Sequence, residues 1–184
     1  MSSLLFRRSR VGHAGFSQLE VLCAVVVLAL AALGLARTMV ASTQLANASR
    51  QRALATEAAR QKLEELQDTA FDQVFRSYDA FPANDPGGAG TAPGATFAVA
   101  GLDATADDPD GIVGEVVFPV NGSELREDVD LPLLGMPHDL DGDGAIDAAD
   151  HAGDYQLLPA LVRVRWRSDT APMLVELRTI LAER

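Results

Sequence analysis

The sequence predicts an α+β protein, with a long N-terminal α-helix, membrane-grade in its first half, packed on a small antiparallel β-sheet. An apolar run from Val21 to Ala36 is followed by helical spacing that meets no proline until Pro82. Residues 82–94 then become rich in Pro and Gly, and the C-terminal part alternates apolar with polar side chains. At 184 residues the chain has room for one modest core beside one membrane segment.

Charge narrows the partners. The formal net charge is −11, and between Asp79 and Asp154 there are 17 Asp or Glu residues against a single Arg126. Such a balance argues against nucleic acid and in favour of a divalent cation. The lone Cys23 cannot form an intrachain disulfide, so packing or metal must hold the domain.

The first element is the apolar helix. Val21–Ala36 is 16 residues, or 21 when counted from Phe16, and a bilayer core takes about 20. The preceding "LFRRSRVGHAG" is basic, which retains that end in the cytoplasm and sends the remainder across. A secretory signal peptide and a plain signal anchor are the alternatives. The helical pattern continues past the small residues around Ala29–Ala36, where a signal peptide would be cut. Glu20 is the discriminating residue, because a charge in hydrocarbon costs roughly 2.5–3.5 kcal/mol and needs a partner. A cut between Gly15 and Phe16 would create an α-amino group one helical turn from it.

The stretch "GFSQLEVL" resembles the prepilin-type cleavage and methylation motif of type IV pilins and type II secretion pseudopilins. The resemblance implies removal of residues 1–15 after Gly15 by a prepilin peptidase and methylation of Phe16. It makes Glu20 the charge partner in assembly. Loss of Arg7, Arg8 and Arg10 with that leader would take the net charge from −11 to −14. Residues 16–37 would then be the transmembrane half of the helix and 38–184 an extracytoplasmic domain. Ser17 and Gln18 stand where Thr and an apolar residue are commoner, and the leader is long for a pilin.

Beyond the span, Leu45, Ala48, Arg52, Ala55, Ala59, Leu63, Leu66, Ala70 and Val74 recur at helical spacing, predicting a helix to about Arg76. Residues 16–76 would form one rod of roughly 90 Å, softest at Gly34. "ATFAVAGL" (95–102) and "GEVVFPV" (114–120) read as strands. The acidic tract between them, with Asp107, Asp108 and Asp110, reads as solvated loop. In "LVRVRWRSDTAPMLVELRTIL", Val162, Val164 and Trp166 oppose Arg163, Arg165 and Arg167, and Met173, Val175, Leu177 and Thr179 oppose Glu176 and Arg178. This is a β-hairpin with one buried face, and Trp166 should pack near Leu63 and Leu66. "QLEVL", "AARQKLEEL", "VRVRW" and "VELRT" resemble the I-type minor pseudopilin and the related V-type minor pilins, over residues 15–76 and 160–181.

The segment between holds "DLDGDGAIDAAD". Asp139, Asp141, Asp143, Asp147 and Asp150 stand at positions 1, 3, 5, 9 and 12 of an EF-hand-type calcium loop. Ala145 offers its carbonyl at position 7, Gly144 permits the turn and Ile146 is the expected anchor. The spelling resembles the dockerin-type loop. Pro137 excludes an ordinary incoming helix, and no second loop pairs with this one. A merely acidic turn is the alternative. His13, His138 and His151 lack zinc spacing, and no nucleophile or phosphate-loop motif is visible, so no enzyme is expected. The resemblances imply a structural subunit of the bacterial inner membrane with a periplasmic domain, partnered by other pseudopilins or pilins. A type II secretion machine, a type IV pilus and an anchored calcium-dependent binding module all remain open.

Overall fold

A computed structural model describes residues 17–168 and 171–183. The expected cleavage residues Gly15 and Phe16 lie outside the described residues. The chain forms two compact units, one ending at Leu45 and the other beginning at Ala46.

Helix α1 runs Gln18–Asp68. Ser17 opens it, because the Glu20 N–H donates to Ser17 Oγ at 3.2 Å and to Ser17 O at 3.0 Å. This satisfies donors that a helix start otherwise leaves unpaired. Up to Leu45 every described α1 residue is exposed, although Val21–Ala36 within it carries no polar side chain but Cys23. By length and composition the helix can cross a membrane.

In the second unit α1 buries Ala55, Ala59 and Leu66 and half-buries Leu63. Leu45, expected on that stripe, is 75% exposed, and Gln51 and Leu54 take up its N-terminal end instead. The expected continuous helix to Arg76 is also corrected. α1 stops at Asp68, Ala70 adopts an extended ψ of 127°, and a separate helix α2 spans Phe71–Tyr78. In a straight helix thirteen residues would part Tyr78 from Glu65 by about 20 Å. The break lets Tyr78 donate to Glu65 Oε1 at 3.0 Å and meet Thr69 Oγ1 at 3.2 Å. It also buries Val74 and Phe75, the latter edge-on to Phe118 at 5.6 Å. Core burial thus overrides helical continuity.

Strands β1 (Thr96–Phe97), β2 (Gly114–Val117), β5 (Leu157–Arg167) and β6 (Pro172–Ala182) form one antiparallel sheet in the order β1-β2-β5-β6. Two expected strands are shorter than their apolar runs. A turn closed by Leu102 N–H to Val99 O, with Gly101 at φ +85°, ends the first. Pro119, which has no N–H to pair, ends the second. The chain then makes a separate small hairpin, β3 (Val120–Asn121) with β4 (Glu124–Leu125). Phe97 lies across Gly114, where an added Cβ would sit 2.5 Å from its ring.

The β5–β6 hairpin is longer than expected, and Val162, Val164 and Trp166 are fully buried. Trp166 Nε1 donates to Gln51 Oε1 at 3.3 Å, so it meets the helix twelve residues before Leu63. The Leu66 end belongs to the opposite end of the hairpin, with Tyr155 and Leu181 around one groove. On the outer face Arg163 bridges Glu115 (3.6 Å) and Glu176 (2.9 Å), and Arg165 reaches Asp107 (3.3 Å) and Asp108 (3.7 Å).

Candidate metal centre

The acidic loop folds around its own side chains. Asp139 accepts hydrogen bonds from the N–H of Gly142 at 2.6 Å and of Gly144 at 2.9 Å, and both glycines have positive φ. Asp141 accepts from Asp143 N–H and Asp143 from Ala145 N–H, at 3.0 and 2.7 Å. Asp147 accepts from Ala149 N–H at 2.6 Å. Those N–H groups hold the carboxyls of Asp139 and Asp147 below their usual range, with His151 adding to the effect on Asp147.

The centre of the site is a residue that spacing could not announce. Glu127, 1% exposed, follows β4 and reaches under the loop. Its Oε1 accepts from the N–H of Leu140 at 2.6 Å and Asp141 at 3.3 Å, and its Oε2 from Asp147 N–H at 3.1 Å. His151, also buried, puts Nε2 at 3.3 Å from Asp147 and 3.7 Å from Glu127. Its Nδ1 lies 3.3 Å from Asp154 and 3.7 Å from Asp141. Burial works against protonation of His151, but Asp147, Glu127 and Asp154 outweigh it and raise its pKa.

Three sets of potential ligand atoms converge here: Glu127, Asp147 and His151; Asp141, His151 and Asp154; and Glu127, Asp139 and Asp141. Of the loop's expected ligands, Asp139 and Asp141 share a set with Glu127, while Asp147 shares another with Glu127 and His151. Asp143 and Asp150 stand outside these sets. Asp150, expected at position 12, accepts from the N–H groups of Leu125 at 3.0 Å and Ala152 at 3.1 Å, which ties the loop's end to β4. His151 N–H returns to Leu125 O at 2.8 Å, completing that tie. Ile146 is 52% exposed and does not anchor the loop; Leu140, fully buried, does.

Carboxylate oxygens dominate the donor set; Glu127 Oε1 already accepts two backbone N–H groups, whereas Glu127 Oε2 and both Asp139 oxygens accept one backbone N–H each and keep a lone pair. Such a set suits a hard cation of the calcium class better than zinc. Glu20 lies in the first turn of α1, far along the sequence from this site. Comparison of the chain with known protein families, with curated proteins and with solved structures finds no match.

Proposed function

We propose that this chain is a non-catalytic assembly subunit of a pilin-like envelope machine, of the minor pseudopilin type found in type II secretion systems. The observation that carries the reading is Glu20 in the first turn of an exposed apolar helix, directly behind the Gly15–Phe16 motif. An apolar helix with no cover of its own requires lipid or neighbouring helices. A carboxylate at its start serves an oligomer in which the Phe16 ammonium of the same or an adjacent subunit lies close. The long helix followed by a small antiparallel sheet supports the same reading.

On this reading residues 1–15 are the cytoplasmic leader, prepilin peptidase cuts after Gly15, and the sheet-bearing unit is periplasmic on a single inner-membrane anchor. Calcium is the proposed structural ion of the acidic loop. Asp139, Asp141, Asp147 and the buried Glu127 supply its oxygens, with Asp143 and the Ala145 carbonyl at the exposed rim.

Intact mass and N-terminal sequencing of the membrane-extracted protein test the proposal. The mature terminus is expected to read FSQLE with methylated Phe16. Glu20→Val should insert, be processed and fold, yet lose co-purification with partner pseudopilins. An uncut chain, or undiminished co-purification of Glu20→Val, refutes it.

A further inference from the structure

Strand β6 is eleven residues long, and within the described residues no strand borders its outer side. The direction of its unused main-chain groups follows from its neighbour. On β5 Arg165 donates its N–H away from β6, to Val113 O at 2.8 Å, so alternation turns the groups of Val162, Val164 and Trp166 toward β6. Their partners are Leu177, Val175 and Met173. Glu183 N–H, in phase with these, donates back to Gln156 O at 3.4 Å. The N–H and C=O groups of Leu174, Glu176, Arg178 and Ile180 therefore point to the open edge. Leu174 and Ile180 flank the two charges and are 50% and 57% exposed. Natural sheets usually blunt such an edge with Pro, a bulge or an unmatched charge; here Pro172 stands only at the strand's first position, and Leu174–Ile180 carries charges of both signs.

We propose that β6 pairs antiparallel with β6 of a second copy, in the register that sets Leu177 opposite Leu177. The sequence of the edge is complementary to itself in that register. Leu174 faces Ile180 of the other copy, Glu176 faces Arg178, and the two-fold axis repeats both pairs. These are also the residues whose main-chain groups point outward, so each pair exchanges two hydrogen bonds, and the two four-stranded sheets become continuous. A two-fold axis normal to the sheet allows only registers centred on a residue, which keep each face with its like. Centring on Glu176 or on Arg178 opposes like charges, which is destabilising. Arg163, already 2.9 Å from Glu176, leaves that carboxylate a second oxygen for the incoming Arg178. The interface uses only the sheet-bearing unit, and stands or falls separately from processing at Gly15.

Oxidative crosslinking of the full chain in native membranes tests the register, in a Cys23→Ser background. Leu177→Cys is expected to give a disulfide-linked homodimer, because facing Cβ atoms in a non-hydrogen-bonded antiparallel pair lie about 4.5–5.5 Å apart. Val175→Cys alone should not link, whereas Val175→Cys mixed with Thr179→Cys should. Charge exchange supplies the second arm, using Leu177→Cys as reporter. Arg178→Glu and Glu176→Arg should each lower homodimer yield by roughly tenfold, since two favourable cross-strand pairs become unfavourable. Co-expressing the two variants should restore linkage between them. The proposal is overturned if Leu177→Cys stays monomeric, if it links only to a different protein, or if co-expression fails to rescue.

Discussion

Glu127, itself 1% exposed, accepts from three backbone N–H groups, that of Leu140 fully buried, and alanine there would remove the partner of all three. Glu127→Ala is expected to destabilise the chain by about 2–4 kcal/mol. The drop is readable as a lower urea midpoint of Trp166 fluorescence, since Trp166 is the only tryptophan and is fully buried. An unchanged midpoint would mean that the loop holds itself without Glu127. Calcium binding at the same side chains should raise the melting temperature of the wild-type chain, by about 1.4 kcal/mol of stability at ten times Kd. That response should vanish in Asp139→Ala, and a calcium-insensitive wild-type chain would leave the loop an acidic turn. At this scale the sequence disclosed what is local. Asp139 and Asp141 are two residues apart and share a set of ligand atoms, so their spacing is readable. Glu127 is twelve residues upstream of Asp139 and arrives only because β4 is tied to the loop's end, a tertiary event without a local signature.

At the scale of elements, the break between α1 and α2 exists to bring Tyr78 and Phe75 inward. Tyr78→Phe removes a hydroxyl bonded to Glu65 and Thr69, and should cost about 1 kcal/mol in urea unfolding. Were the helix continuous, the substitution would be silent. Asp79 closes α2 at 5% exposure, accepting from Phe81 N–H at 2.9 Å and Asn84 Nδ2 at 2.6 Å. Burial raises its carboxyl pKa despite those two bonds. The folded state therefore holds this proton more tightly than the unfolded chain does. Its contribution is fully present below the unfolded value of about 3.9 and is lost as pH rises through the folded one. Asp79→Asn should flatten stability across that window; an unaltered pH profile would place the dependence elsewhere. The apolar pattern predicted the helix, the last hairpin and its buried face correctly. It missed the helix break because Thr69 and Ala70 are no breakers by type; the signal is Tyr78 finding Glu65, which periodicity cannot encode.

For the molecule as a whole, two kinds of surface are kept apart in sequence: the exposed, largely apolar part of α1 up to Leu45, and a unit laden with acid. Both were legible in composition, since each is a property of a long stretch. The sheet order was not, because β2 and β5 are partnered across a segment that composition shows only as loop. That pairing has a kinetic consequence. β5 and β6 are joined by a short connection and can zip locally, whereas Val117 must find Leu161 across residues 118–156. This segment holds ten Asp or Glu residues and only Arg126 to offset them, so it repels itself while it is being gathered in. Closing the loop is then opposed by charge as well as by chain entropy. Refolding of the detergent-solubilised chain should accelerate roughly threefold or more between low salt and half-molar salt, with unfolding little altered. If salt instead moves only the unfolding rate, the acids come together after the rate-limiting step. In that case the last hairpin waits for something other than β2.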